Sequence, residues 1–225
     1  MARRRSYGQY CGLTHALELV GERWALLIVR DLIRGPKRFT DLRQGLPRIP
    51  TNVLSARLKE LEEAGIVLRR TLPRPAASVV YELTEYGRGL EDIVIRLGRW
   101  GARSLGDPGP DDIVTTDGEL LALRTCFNPE AARGVHDGWE LRIEDVVVHA
   151  IVDDGALTLG EGPLPRPGLV MDIKKVAVMK PLLSGETSPD EAVAEGAIHL
   201  IGDAGRLDTF VKVFAVTPVP AAEAV

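Results

Sequence analysis

The feature that most constrains the fold is a run of short helical segments separated by tight turns in the first half of the chain. Residues 51–65, TNVLSARLKELEEAG, place Leu54, Leu58 and Leu61 at helical spacing, so one face of this helix is expected to pack inward. The segment FTDLRQGL, near residues 39–46, predicts a shorter helix just before it, across the connection PRIP. Two helices joined by a short turn are typical of a helix-turn-helix.

The flanking segments extend this pair into a winged helix-turn-helix. LTHALELVG and RWALLIVRDLIRG predict two preceding helices, of which the second is the more buried. IVLRRTL (66–72) and VVYELT (79–84) are rich in β-branched residues and predict a hairpin, the wing. Thr84 is expected to cap one long final helix over EYGRGLEDIVIRLGRWGARSL. This order of elements predicts a DNA-binding fold.

The two halves of the chain carry opposite charge. Residues 1–107 contain 19 Lys and Arg against 12 Asp and Glu, a balance of +7, whereas the remainder contains 9 against 20, a balance of -11. A basic module favours a polyanion such as DNA, and phosphates would repel the acidic half. The segment GDPGPDD, residues 106–112, has no apolar periodicity. It predicts a linker between a domain at 1–106 and a second domain at 113–217.

The polar face of residues 51–64 predicts contacts with double-stranded DNA. The first residues of a recognition helix meet base edges in the major groove, where Asn can pair with adenine and Arg with guanine. Basic and hydroxyl side chains on the short helix and the wing are expected to contact phosphates. The predicted DNA contacts are Lys37, Arg38, Thr40, Arg43, Thr51, Asn52, Ser55, Arg57, Lys59, Arg69, Arg70 and Arg74. The structural alternative is a solvated helix face beside a hairpin.

Residues 7–105 resemble the HxlR family of bacterial transcription regulators. The motifs that carry the resemblance are ERW, GPKRFTDL, NVLSARLKELEEAG and YELTEYG, in that order. The resemblance implies a homodimeric winged-helix repressor or activator on a pseudo-palindromic operator, with the first and last helices forming the dimer. Trp100 and the apolar stripe of residues 88–104 are the candidates for that interface, and packing within the domain is the alternative.

Cys11 is a candidate redox switch on the same resemblance. Several HxlR-like proteins sense oxidants or electrophiles through a cysteine near the N-terminus, and YCGL places Cys11 there, although Gly12 stands where the family often has Pro. His15, one helical turn further on, could lower the pKa of the thiol. The alternative is a small, half-buried residue packed at a helix start. Cys126 is expected to lie in the core.

The second half predicts a small α+β domain on one sheet. WELRIEDVVVHAIVDDGALTLGEG alternates in part and contains the hairpin signal DDG, while GLVMDIKK and GAIHLIGD predict further strands. VAVMKPLLSG, SPDEAVAEG and RLDTFVKVFAV predict helices between and after these strands.

Residues 118–216 resemble the sterol carrier protein type 2-like fold, above all in LLSG, SPDEAVAEG and IHLIGD. The resemblance implies a sheet covered by helices around an apolar tunnel for lipids or other apolar molecules. The candidate lining residues are Trp139, Val147, Leu159, Met171, Met179, Leu182, Leu183, Phe210 and Phe214. For each of them, ordinary core packing is the alternative.

No motif in the sequence predicts a catalytic site, a metal site or a cofactor. The four histidines, His15, His136, His149 and His199, lack metal-ligand spacing, and GxSxG, Walker and GxGxxG patterns are absent. No apolar run is long enough to cross a membrane and no signal peptide is evident, so a cytoplasmic location is expected. We predict a DNA-binding regulator modulated by an apolar small molecule. The alternatives are a lipid or small-molecule carrier with an adaptor DNA-binding domain, and a regulator that senses oxidants through Cys11.

Overall fold

The computed structural model describes residues 6–73, 75 and 77–217. The chain divides into two compact units, which we call unit 1, ending at Val94, and unit 2, beginning at Ile95. This division lies upstream of residues 106–112, and the functional boundaries 1–106 and 113–217 stay a prediction. In the described part of the chain, no helix is long and apolar enough to span a membrane.

Unit 1 consists of helices and one hairpin in the predicted order. Helix α2 (Ala25–Ile33) contacts α3 (Phe39–Gly45), α4 (Thr51–Glu63) and β2 (Val79–Leu83). It buries Ile28, Val29 and Leu32 completely, as expected for the central helix. On α4, Leu54, Leu58 and Leu61 are at most 1% exposed, so the apolar stripe predicted for this helix does pack inward. The elements are α1 (Gly12–Val20), α2 (Ala25–Ile33), α3 (Phe39–Gly45), α4 (Thr51–Glu63), β1 (Val67–Thr71), β2 (Val79–Leu83), α5 (Glu85–Arg88) and the beginning of α6 (Glu91–Ala102).

The prediction of one long helix after Thr84 is wrong, because two helices stand there. Thr84 does act as a cap, since its Oγ1 accepts a hydrogen bond from the N–H of Gly87 at 2.9 Å. However, α5 ends at Arg88 after a single turn, and the N–H groups of Gly89 and Leu90 donate to the carbonyl oxygens of Tyr86 and Gly87 at 3.2 and 3.0 Å. The chain then resumes as α6. Within α5, Gly87 lies directly against the backbone of Ile66, where a Cβ would come within 2.0 Å of the carbonyl oxygen.

Unit 2 has the predicted α+β organisation, with helices packed on one five-stranded sheet. The strand order is β5 (Ala156–Glu161), β4 (Val146–Asp153), β3 (His136–Ile143), β6 (Leu169–Ile173) and β7 (Ile198–Gly202). Strands β3 and β6 are parallel, and the other neighbours are antiparallel. The DDG segment forms the tight turn between β4 and β5, where Asp154 and Gly155 have φ values of 45° and 82°. After the end of α6, the elements are α7 (Thr116–Cys126), β3 (His136–Ile143), β4 (Val146–Asp153), β5 (Ala156–Glu161), β6 (Leu169–Ile173), a 3-10 turn (Val176–Val178), α8 (Met179–Ser184), α9 (Pro189–Ala194), β7 (Ile198–Gly202) and α10 (Arg206–Val213).

Helix α7 is the element of unit 2 that the sequence reasoning missed. Thr115 caps it by accepting a hydrogen bond from the N–H of Gly118 at 3.2 Å, and acidic residues occupy its first turn. Its buried side chains Leu120, Leu123 and Cys126 join the apolar core formed by alternate residues of the strands. Thr115 at the cap and the three-residue spacing of Leu120, Leu123 and Cys126 were the sequence signals from which this helix could have been predicted.

Candidate nucleic-acid interface

Helix α4 presents a polar face opposite its buried leucines. Thr51, Asn52, Ser55 and Lys59 are all exposed, so these four predicted contacts lie on the solvent side of one helix. Ser55 Oγ donates a hydrogen bond to the carbonyl oxygen of Thr51 at 3.0 Å, whereas the Asn52 amide has no partner among the described residues. A side-chain amide can form two hydrogen bonds with adenine in the major groove, which suits Asn52 to base reading.

The N-terminus of α4 is open to an incoming anion. Its N-cap residue is Pro50, and no side chain in the described chain accepts from the first-turn N–H groups. Such N–H groups favour a phosphate oxygen. Arg48 is exposed in the connection just before this turn. The sequence reasoning missed Arg48, although its place in the tight turn before a recognition helix was a sufficient signal.

Arg57 lies on the flank of α4, beside the α1–α2 connection. Its guanidinium is paired with the Glu60 carboxylate and stands 3.9 Å from the carboxylate of Glu22. The Arg57 side chain is only 20% exposed. The predicted contact with a guanine therefore requires Arg57 to leave two carboxylates first.

Helix α3 begins with a local hydrogen-bond network around Asp41. The backbone N–H of Arg38 donates to the Asp41 carboxylate at 2.9 Å, and Thr40 Oγ1 donates to the same group at 3.3 Å. Arg38, Thr40 and Arg43 are exposed, as phosphate contacts should be. Among the described residues Arg43 has no polar partner, so its charge is available to a backbone phosphate.

The wing is anchored to the helical part of unit 1 by Lys37. Lys37 N–H donates to the Tyr81 carbonyl at 2.9 Å, and Tyr81 N–H donates back to Lys37 at 2.8 Å, so this residue adds a bridge to the β1–β2 hairpin. The bridge fixes the predicted phosphate contact Lys37 next to β2. The pairing cannot be seen in the sequence, since residue 37 lies in a connection between two helices.

The two wing arginines on β1 differ in their surroundings. Arg70 donates from Nε and Nη2 to the Glu82 carboxylate across the hairpin, at 2.6 and 2.9 Å. These hydrogen bonds lower the pKa of the Glu82 carboxyl. Arg69 is exposed and has no polar partner in the described part of the chain. Arg74, the third predicted wing contact, lies outside the described residues.

Comparison with known proteins identifies the family. The HxlR-like helix-turn-helix family matches residues 19–107. The HTH-type transcriptional regulator YodB of Bacillus subtilis is 40% identical over 94 residues, which are 42% of this chain and 83% of YodB. The regulator Mb3122 of Mycobacterium bovis is 44% identical over 96 residues, 42% of this chain and 60% of that protein. The chain belongs to the HxlR-like helix-turn-helix family.

Among solved structures, the redox regulator HypR in its oxidised form is 37% identical and covers 44% of this chain and 100% of its own, with a TM-score of 0.40. The prediction of an HxlR-type DNA-binding transcription regulator is confirmed by the family match and the curated relatives. These relatives are named as regulators, in keeping with the prediction that the chain is not an enzyme.

In this HxlR-family chain the two cysteines occupy opposite environments. Cys126 is buried, as predicted, and burial raises the pKa of its thiol. Cys11 is exposed at the N-cap of α1, which contradicts the half-buried alternative. Hydrogen bonding from the backbone N–H groups of Thr14 and Leu13 lowers the pKa of the Cys11 thiol. His15 has no part in this shift, and its ring lies 3.8 Å from Glu18 instead.

Except for Val147, the predicted lining residues of unit 2 lie in or against its core. The rings of Trp139, Phe210 and Phe214 contact one another, with centroids 4.7 to 6.2 Å apart. Met171 is fully buried, and Met179, Leu182 and Leu183 are at most 8% exposed, while Val147 and Leu159 are partly buried. The role of these residues in ligand binding stays a prediction.

An open cleft in unit 2 lies elsewhere and contains none of these residues. Its volume is about 500 Å³, and its charged lining includes His136, Asp137, Asp153, Arg166 and Arg206. Arg206 pairs with Asp137 there, and the His136 ring lies 2.5 Å from Asp153. Within the described ranges, no group of three or more His, Cys, Asp and Glu is placed to hold a metal ion.

Proposed function

We propose that this HxlR-family regulator acts in the cytoplasm as a homodimer on a pseudo-palindromic operator, with α4 in the major groove. The proposal rests on the N-terminal end of α4, which is exposed and has no side-chain cap. Thr51, Asn52 and Ser55 form a polar surface there, and the buried leucines of the same helix pack into the core. The exposed cations Arg38, Arg43 and Arg69 on α3 and β1 supply phosphate contacts to either side.

Two helices support dimerisation. Along α6, Ile93, Leu97 and Trp100 are 54%, 47% and 68% exposed at helical spacing, and large apolar side chains in such a stripe favour a protein partner. On α1, Leu13 and Leu17 are also exposed. A two-fold dimer would place two copies of α4 about 34 Å apart, one turn of DNA.

The test is binding to the protein's own promoter, compared with a duplex of random sequence, over a range of salt concentrations. We expect tighter binding to a palindromic segment, a steep salt slope from phosphate contacts, and a dimer by analytical ultracentrifugation. Trp100→Asp should produce a monomer with weakened operator binding. Equal affinity for promoter and random DNA would refute the proposal.

We also propose that unit 2 is a sterol-carrier-like domain whose occupancy by an apolar small molecule changes DNA affinity. The helix-covered five-stranded sheet and its large apolar core support this reading. A ligand that prefers one dimer geometry would shift the population towards it and so change operator binding. Native mass spectrometry of freshly purified protein should reveal a dimer carrying extra mass. If the protein carries extra mass but binds promoter and random DNA equally, the carrier function is favoured instead.

Redox sensing through Cys11 is the second candidate mechanism, and a specific observation favours it. The exposed thiol with a lowered pKa at the start of α1 is open to oxidants and has more thiolate than an ordinary cysteine. Mild oxidation should then change operator affinity in the wild type and leave Cys11→Ser unaffected. An identical response in both proteins would exclude Cys11 as the sensor.

A further inference from the structure

The recognition helix carries one arginine that the protein itself restrains. Arg57 faces two carboxylates, Glu60 one turn further along α4 and Glu22 on the α1–α2 connection. The arginine side chain is 20% exposed, while the two acids are about half exposed, at 50% for Glu60 and 53% for Glu22. One cation and two anions give this group a net charge of -1 on the flank of the recognition helix.

The connection that carries Glu22 is tightly specified. Gly21 ends α1 where a Cβ would lie 2.4 Å from the Leu17 carbonyl oxygen, so only glycine fits there. Trp24 has a φ of 80°, an uncommon value for a residue with a side chain. The Arg23 guanidinium lies over the Trp24 ring at 5.2 Å, and Ala25 N–H donates to the Glu22 carbonyl at 3.1 Å. This corner therefore holds the Glu22 backbone in place beside α4.

We propose that Glu22 and Glu60 form a clasp that withholds Arg57 from DNA phosphates and thereby limits binding to DNA of the wrong sequence. Non-specific binding depends on the number of cations that can neutralise phosphates. An arginine held by two carboxylates is no longer available for this. A guanine in the correct operator presents O6 and N7 as two acceptors for the Arg57 guanidinium, and the other bases lack this pattern, so the correct sequence offsets the loss of the two carboxylates.

Within the proposed DNA-binding function, Glu22 is thus a specificity-determining residue that acts through Arg57. It touches no base itself. Removing its charge should increase affinity for random DNA more than the removal of an unpaired carboxylate from α4 does, and the increase should depend on Arg57. The size of the increase and its dependence on Arg57 separate this role from that of a merely structural ion pair.

The experiment measures affinity and salt slope on a labelled random duplex and on the promoter duplex. The variants are Glu22→Gln, Glu60→Gln and their combination, all in the full-length protein. Each single change should tighten random-DNA binding about two- to fivefold, and the combination about tenfold, since exposed ion pairs are individually weak. The combination should also steepen the salt slope by about 0.9, one additional phosphate contact.

Two controls isolate the clasp. Glu62→Gln removes the same charge from α4 at an exposed residue that has no polar partner within the described chain. It should have a much smaller effect than Glu22→Gln. Adding Arg57→Ala to the double variant should abolish the gain in affinity, because the released cation is then missing. The clasp proposal is refuted if the gain in random-DNA affinity equals that of Glu62→Gln or persists when Arg57 is replaced.

The two proposals fail in different ways. Equal wild-type affinity for promoter and random DNA refutes the operator proposal, whatever the clasp variants do. The clasp is judged on random DNA alone, and unchanged affinity of the Glu22→Gln, Glu60→Gln combination for that duplex refutes it even where the operator is recognised.

Discussion

The two units place their candidate functional side chains in opposite locations. In unit 1 most of the predicted DNA contacts are exposed polar residues. On α4, for example, Thr51 and Asn52 are exposed and the buried Leu54, Leu58 and Leu61 pack inward from the same helix. In unit 2 the predicted ligand contacts other than Val147 lie in or against the core, with Trp139 and Phe210 fully buried. A surface site can change without loss of the fold, whereas a site inside the core cannot. Substitutions should therefore separate binding from stability in unit 1 and couple them in unit 2.

Phe210→Ala should have the largest effect. The Phe210 ring lies 4.7 Å from Phe214 and 5.8 Å from Trp139, centroid to centroid, so its removal leaves a cavity in a packed core. We expect the free energy of unfolding to fall by about 3–5 kcal/mol. Urea denaturation followed by circular dichroism measures this change. A loss below about 1 kcal/mol would indicate that the ring borders an open tunnel instead.

Glu119→Gln should alter how stability depends on pH. Burial, together with the nearby carboxylate of Glu144, raises the pKa of Glu119 to about 7. The folded state thus favours protonated Glu119, and this contribution is complete below the unfolded-state pKa and is lost as the pH rises through about 7. At about pH 8 the neutral glutamine should stabilise unit 2 by up to about 3 kcal/mol relative to wild type.

Thermal unfolding between about pH 5 and about pH 8 tests this second prediction. As the pH rises, the wild type should become less stable than Glu119→Gln. At the acid end of the range, the melting temperatures of the two proteins should be nearly equal. Glu144→Gln is the control, and it should reduce the pH dependence only partly, since burial is the larger cause. If the stability of the wild type and of Glu119→Gln changes with pH in the same way, ionisation of Glu119 does little to destabilise the folded state.

The contrast between the units also explains which features of the fold and of the candidate sites can be predicted from the sequence. The helix order, the wing and the buried face of α4 follow from local periodicity, and the structure has all three. The close approach of Gly87 to Ile66 and the restraint on Arg57 by Glu22 both involve residues distant in sequence, so no local pattern reveals them. In unit 2, core and ligand lining use the same apolar residue types, so composition cannot separate them.

Asn52→Ala should show the pattern expected of a surface site. Asn52 is exposed and has no polar partner among the described residues, so the change in unfolding free energy should be within about 0.5 kcal/mol. Operator affinity should fall by about 1–3 kcal/mol through the loss of a bidentate base contact, with random-DNA affinity nearly unchanged. The control Lys59→Ala should weaken binding to both duplexes alike. Equal losses on both duplexes for Asn52→Ala would assign it to the phosphate backbone.

The smallest expected effect distinguishes the two arginines of β1, within unit 1 itself. Arg69 is exposed without a polar partner in the described chain, whereas Arg70 already donates two hydrogen bonds to Glu82. Arg69→Ala should therefore reduce the salt slope of DNA binding by about 0.9, and Arg70→Ala by less than half of that, because a paired guanidinium releases few phosphate counterions. Fluorescence anisotropy titrations across a salt series measure both slopes. If Arg70→Ala has the larger effect, Arg70 leaves Glu82 when the wing meets DNA, and exposure in the free protein is a poor guide to which cation binds phosphate.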